Sequence, residues 1–279
     1  MTELDPRRAA VLGHPIAHSL SPVLHRAAYA ELGLEGWRYD AVDVTEDALP
    51  GFVAGLDASW AGLSLTMPLK QTVLPLLHHV EPLAQVVGAV NTVLVQGAGA
   101  SRVLTGANTD VHGIVAALAE GGASRAARAV VLGGGATAAS ALAALAQLGC
   151  PSATVLVRSQ ARAGGLMRAA HRMGVTPVFR PLDEAGARLA GADVVVSTLP
   201  PHAADSLAEG LAAAGGVLLD VAYDPRPTAL HAAWVAAGGV AVGGERMLLH
   251  QAAEQVRLMT GRPGPVAAMS AALEAALAA

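Results

Sequence analysis

Apolar positions along this chain gather into short runs, each followed by a stretch with helical spacing, and the alternation continues from one end to the other. The first run, Ala9 to Leu12, leads into a loop from Gly13 to Pro22 and a helix over Val23 to Leu32. A strand near Arg38 to Val44, a helix around Thr45 to Leu56 and a strand from Gly62 to Thr66 follow. The last of these stops at Met67-Pro68, because proline lacks the N–H that a ladder needs. Val90 to Val95 and Arg102 to Thr105, with a Gly-rich turn between them, read as a hairpin added to the same sheet. From Asp110 onward the repeat is strict. A helix leads to the strand Val130 to Leu132, then an Ala-rich helix to Leu148, the strand Ala153 to Val157 and a helix around Ala161 to Met173. Further strands are expected at Pro177 to Phe179, Asp193 to Thr198, Val217 to Val221 and Val240 to Val242. Alternating strands and helices predict an α/β protein: an N-terminal α/β/α domain over 1–109 and a Rossmann-type, doubly wound domain over 110–244. Residues 245–279 have helical spacing and no strand signal, and are expected to return to the first domain.

Composition narrows the classes. Apolar residues make up 53% of the 279 and charged residues 14%, which excludes a disordered chain. A net charge of −4 offers no basic field for nucleic acid, so small-molecule partners are expected. The uncharged stretch between Arg128 and Arg158 is broken by Gly133 to Gly135, Gly149 and Pro151, and so reads as buried α/β core rather than a membrane span. One cysteine, Cys150, allows no internal disulfide, and Asp5, Arg7 and Arg8 sit where a signal peptide would be apolar. The expected location is the cytoplasm, as a monomer or a homodimer. No His, Cys and acidic residues fall at metal-ligand spacing. His78-His79 reads as a solvated helix end, His14 and His18 as loop-forming residues, and Cys150 as a small apolar residue at a helix end. Lysine has almost vanished: 17 arginines accompany the single Lys70.

Gly133-Gly134-Gly135-Ala136-Thr137-Ala138 fits G-x-G-x-x-A between an apolar strand and a helix. The first glycine permits the tight turn, Gly135 lets the backbone approach a pyrophosphate, and Ala138 allows close helix packing. The helix start then offers its amides to the anion. An acidic residue about 20 positions on would hold the ribose 2′-hydroxyl of NAD. Here the next strand ends instead in Arg158 and Ser159, with Arg162 beyond, a set suited to a 2′-phosphate. NADP(H) is the expected cofactor.

Polar clusters punctuate the first half at the ends of apolar runs: Ser19-Leu20-Ser21-Pro22, Thr66 with Lys70, Asn91-Thr92 and Asn108-Thr109-Asp110. Their order, together with Gly13 to Ser19, Gly88 to Thr92, Gly106 to Gly113, Asp220 to Pro225 and Gly244 to Gln251, resembles the shikimate dehydrogenase family over nearly the whole chain. The resemblance implies hydride exchange between NADP(H) and 3-dehydroshikimate or shikimate, in the shikimate pathway of aromatic amino-acid biosynthesis, in a cleft between the two domains. It implies that Ser19 and Ser21 hold the substrate carboxylate, that Thr66, Asn91, Tyr223 and Gln251 contact the ring, and that Lys70 and Asp110 are the catalytic pair. Gly133, Gly134, Gly135, Ala136, Thr137, Arg158, Ser159, Arg162, Thr198, Val221, Gly244 and Met247 would bind the cofactor.

Those residue types suit the chemistry. Reducing a ring ketone requires a hydride and a proton for the developing alkoxide. A lysine ammonium stabilises that oxygen and can donate the proton, while a carboxylate orients lysine and hydroxyl. The sequence leaves open which of the two transfers it. The chain departs from the family pattern at Arg26 and Ser64, where asparagines are usual, and at Ala136, Ala139, Val157 and Ser197 to Pro200. A quinate/shikimate dehydrogenase using NAD, or a non-catalytic sensor of NADPH or shikimate, are the alternatives.

Overall fold

In β1 (Arg8–Gly13) successive apolar side chains pass to opposite faces, so a sheet built on it must be covered on both. The computed structural model, which describes residues 7–97 and 99–278, shows both coverings. Ala10 and Leu12 join Leu63, Leu65, Leu69 and Leu104 in one cluster, while Ala9 and Val11 join Tyr29, Trp37 and Tyr39 in another.

The chain divides into two compact units, Met1–Thr109 with Leu249–Ala279, and Asp110–Leu248. Unit 1 contains β1, α1 (Ser21–Glu31), β2 (Arg38–Asp43), α2 (Leu49–Ala54), β3 (Trp60–Leu65), α3 (Leu69–Thr72), β4 (His79–Val80), α4 (Pro82–Val87), β5 (Thr92–Gln96) and β6 (Val103–Ala107). Its sheet runs β2-β1-β3-β5-β6-β4. The pairs β1/β2 and β1/β3 are parallel, whereas β5 and β6 form an antiparallel hairpin on β3. His78-His79 departs from expectation. His79 pairs with Thr105 in β4, and His78 Nδ1 accepts from the Leu104 N–H at 3.1 Å, because the hairpin edge leaves backbone groups to satisfy.

Unit 2 begins with α5 (Asp110–Glu120) and continues β7 (Ala129–Leu132), α6 (Ala136–Gln147), β8 (Thr154–Val157), α7 (Gly164–Met173), β9 (Val178–Pro181), α8 (Ala185–Ala190), β10 (Val194–Ser197), α9 (Asp205–Glu209), β11 (Val217–Asp220), α10 (Ala229–Ala236) and β12 (Val240–Gly243). All strands are parallel in the order β12-β11-β10-β7-β8-β9, the doubly wound Rossmann arrangement. Its near-continuous apolar strands reflect helices on both faces, with Trp234 of α10 fully buried against Val195 and Leu218.

Helix α11 (Gly244–Thr260) crosses from unit 2 to unit 1, and the division at Leu249 falls inside it. After it α12 (Val266–Ala278) packs on α1, and Arg262 donates to the Leu32 carbonyl at 2.9 Å. Cys150 is buried just beyond α6. Among the described residues no helix is long and apolar enough to cross a membrane.

Candidate functional site

Strand ends carry the polar residues of unit 1. Thr66 follows β3, its N–H bonded to the Leu12 carbonyl at 2.9 Å, and Lys70 sits half-buried in α3 two residues past Pro68 of the Met67–Pro68 cis bond. Asn91 precedes β5; its N–H reaches the Ala107 carbonyl at 3.2 Å and its carbonyl accepts from Leu65 N–H at 2.8 Å. Two strands therefore fix its backbone. Its side chain is just as constrained. Asn91 Oδ1 accepts from Thr109 N–H at 2.8 Å, and Nδ2 donates to Thr109 Oγ1 at 2.9 Å and to Gln251 Oε1 at 3.3 Å. Asn91, Thr109 and Gln251, remote in sequence, thus meet in one buried cluster. Nearby in sequence, Asn108 Nδ2 donates to the Ala89 carbonyl at 2.9 Å.

Behind that cluster lies a second polar layer. Tyr39 O–H donates to Ser64 Oγ at 2.6 Å, and Ser64 Oγ donates to Gln255 Oε1 at 2.8 Å. His25 Nε2 reaches the same oxygen at 3.2 Å, and its ring stacks on Tyr39 with centroids 3.9 Å apart. Burial holds the His25 imidazole down to about 3, against the weaker upward pull of the Gln255 bond. Burial likewise pushes the Tyr39 phenol upward. Ser21, the first residue of α1, brings its hydroxyl to Tyr39, while Ser21 N–H donates to Ser19 Oγ at 3.4 Å. Sequence reasoning missed Gln255, Tyr39 and His25 altogether; the one available signal was the spacing of Gln255 four residues after Gln251, on the same face of α11. Of the departures from the family pattern, Ser64 belongs to this layer. Arg26 does not: it donates to the Tyr39 carbonyl at 2.9 Å and to Asp40 at 3.4 Å, facing β2.

In unit 2 the backbone makes the site. Gly133 follows β7 at φ +108°, a conformation that favours glycine, and a Cβ there would run into the Thr198 side chain. Thr198 is itself fixed, with N–H and Oγ1 both bonded to the Leu132 carbonyl at 2.8 Å. Gly133, Gly134, Gly135, Val157, Arg158, Ser159 and Thr198 line one cavity of about 330 Å³, and α6 begins at Ala136 beside it, followed by Thr137. The Arg162 side chain lies outside the described residues. A Cβ-free turn, a helix start and a cation at the next strand end fit a phosphorylated dinucleotide.

At the other half of this sheet, β11 ends on Asp220, buried and pushed upward by that burial. It accepts from Thr228 Oγ1 at 2.6 Å, and Thr228 caps α10 by accepting from His231 N–H at 3.1 Å. These bonds brace the loop that carries Val221 and Tyr223, whose phenol is also raised by burial. Gly244 lets α11 start against the Val221 carbonyl, where a Cβ would collide; Met247 is buried one turn later. Asp110, buried, is the first residue of α5 and belongs to unit 2, whereas Lys70 belongs to unit 1.

A parallel Rossmann sheet with a glycine turn, joined to a mixed sheet bearing a buried polar cluster, defines a dinucleotide-binding protein of the two-unit dehydrogenase type. Three family models match it: the shikimate dehydrogenase substrate binding domain over residues 11–93, shikimate / quinate 5-dehydrogenase over 116–208, and the shikimate 5'-dehydrogenase C-terminal domain over 244–274. Shikimate dehydrogenase (NADP(+)) of Moorella thermoacetica is 37% identical, over 97% of this chain and 93% of its own. Mycobacterium tuberculosis shikimate dehydrogenase superposes with a TM-score of 0.86 at 42% identity, over 97% of this chain and all of its own. The Thermus thermophilus enzyme, solved with NADP(H) and shikimate, gives 0.83 at 35% identity, over 97% and 100%. The chain belongs to the shikimate dehydrogenase family.

Proposed function

We propose that the chain is an NADP-dependent shikimate dehydrogenase, an oxidoreductase that interconverts 3-dehydroshikimate and shikimate. The observation that carries this reading is the meeting of Asn91, Thr109 and Gln251 in one buried polar cluster of a chain with this family's sequence. A small hydroxylated acid needs hydroxyl and amide partners atom by atom, and such a site rejects analogues that leave those groups unpaired. Ser19 and Ser21 hold the carboxylate; Thr66, Asn91, Gln251 and Tyr223 contact the ring. The Gly133 turn and the start of α6 take the pyrophosphate, Arg158 and Ser159 the 2′-phosphate. Bound NADP(H) supplies or accepts the hydride. Lys70 stabilises the oxygen on which negative charge develops and supplies its proton, and Asp110 orients the hydroxyl. In the direction of oxidation the same groups remove that proton. The buried single cysteine suits a reducing compartment, and we place the enzyme in the cytoplasm.

The test follows NADPH formation from shikimate with NADP, with NAD and quinate in parallel. Turnover is expected with shikimate and NADP, and Lys70→Ala lowers kcat by about a thousand-fold, the scale of a lost acid–base group. A preference for quinate with NAD, or full activity in the variant, overturns the assignment.

A further inference from the structure

Gln255 is a single glutamine on a helix, yet none of its hydrogen-bonding capacity is left to solvent: it is 1% exposed. Nε2 donates to the Asn91 carbonyl at 3.2 Å and to Thr92 Oγ1 at 3.0 Å. Oε1 accepts from Ser64 at 2.8 Å and from His25 at 3.2 Å. The amide has two donors and two acceptor positions, so this arrangement satisfies it fully and permits no flip. Direction is therefore fixed all along the layer. The proton runs from Tyr39 to Ser64 and from Ser64 to Gln255; His25 must carry its hydrogen on Nε2; and Gln255 donates onward to the start of β5.

The residues at the far end of this layer are those read as touching substrate. Thr92 Oγ1 passes the direction on by donating to Asn91 Oδ1 at 2.9 Å, which leaves Asn91 Nδ2 aimed at Thr109 and Gln251. Gln251 precedes Gln255 by one helical turn, so anchoring Gln255 also sets how far α11 is rotated and advanced over β5. With Oε1 of Gln251 turned to Asn91, its NH2 is aimed the other way. At the opposite end the Tyr39 hydroxyl meets Ser21.

We infer that Gln255 is the positioning residue of the substrate pocket, setting the side-chain orientation of Asn91 and the register of the helix that presents Gln251. This rests on the reading of Asn91 and Gln251 as substrate contacts. Gln255 itself stands behind them, and its effect passes through them.

The experiment measures Gln255→Met, with Asn91→Ala and Gln251→Ala as references, for KM of shikimate, KM of NADP and melting temperature. Misplacing contacts by a fraction of an ångström raises KM for shikimate about ten-fold in Gln255→Met, with KM for NADP changed less than about two-fold. A residue that merely fills the core would lower the melting temperature and the active fraction, and leave KM for shikimate in place; that result overturns the inference. Ser64→Ala, which removes one bond to Gln255 and little volume, keeps the test alive if the methionine variant fails to fold. About a three-fold rise in KM for shikimate is expected from it, and no rise overturns the inference. If Asn91→Ala and Gln251→Ala themselves leave KM for shikimate unchanged, the site reading has failed; if they raise it and Gln255→Met does not, only the positioning role has.

Discussion

Unit 1 builds its polar site from side chains that hold one another, while unit 2 builds its cradle from backbone. Asn91, Thr92, Thr109, Gln251 and Gln255 are all buried and bonded to each other or to strand carbonyls. Gly134, Gly135 and Arg158, by contrast, are exposed around a turn whose shape comes from the φ of Gly133. The difference fits the ligands proposed for the two sites. A small hydroxylated acid offers few atoms, each needing a partner of fixed donor or acceptor character, so the protein prearranges amides and hydroxyls in a network. A pyrophosphate is recognised by amide N–H groups, which almost any residue supplies. Departures from the family pattern are more numerous in unit 2: Ala136, Ala139 and Val157 stand where that pattern has glycine, arginine and asparagine, and Val157 lines the cavity.

If backbone shape makes the cradle, the largest effect there should come from adding a side chain where none fits. Gly133→Val combines a β-branched residue at φ +108° with a clash on Thr198. The expected cost is about 3 kcal/mol, roughly a hundred-fold in NADPH affinity, with KM for shikimate nearly unchanged. Fluorescence titration of NADPH reads the first and steady-state kinetics the second; unaltered NADPH binding would break the contrast. In the proposed site the cofactor's 2′-phosphate is the exception, because a side chain must supply its charge. Arg158→Ala should weaken NADP by about 1.5 kcal/mol, near ten-fold, and NAD by less than two-fold, a modest figure because Arg158 is solvent-exposed. Equal losses for both cofactors would remove Arg158 from the phosphate.

What could be read from the sequence divides along the same line. The glycine turn was legible because backbone chemistry leaves its mark in consecutive residues between a strand and a helix. Asn91 and Gln251, which meet in the structure, were singled out by the resemblance of short stretches to a family. Gln255 was not: one glutamine on an amphipathic helix looks like a surface residue, and its partners come from positions 25, 64, 91 and 92. The two-residue strand β4 is too short for alternation to register, and His79 on it resembled a helix end. The end of unit 2 also escaped, since α11 continues through Leu249 without any break in pattern to mark the division.

The smallest effect tests whether the network of unit 1 is as closed as its hydrogen bonds suggest. His25 is held at about 3 in the folded protein, against its ordinary 6.5, chiefly by burial. Between those values the unfolded chain binds a proton that the folded one refuses, so stability is complete above 6.5 and is lost as pH falls. Around pH 5.5 this one group costs roughly 1 kcal/mol relative to neutral pH. His25→Gln keeps an N–H able to reach Gln255 Oε1 but cannot titrate. Urea unfolding of both proteins at neutral pH and around pH 5.5 should therefore show the gap in the wild type reduced by about that amount in the variant. Parallel losses would mean that His25 takes up its proton inside the folded unit. In that case the imidazolium would have found an acceptor for Nδ1–H within the core, and the buried layer behind Asn91 would be looser than the backbone-built cradle rather than tighter.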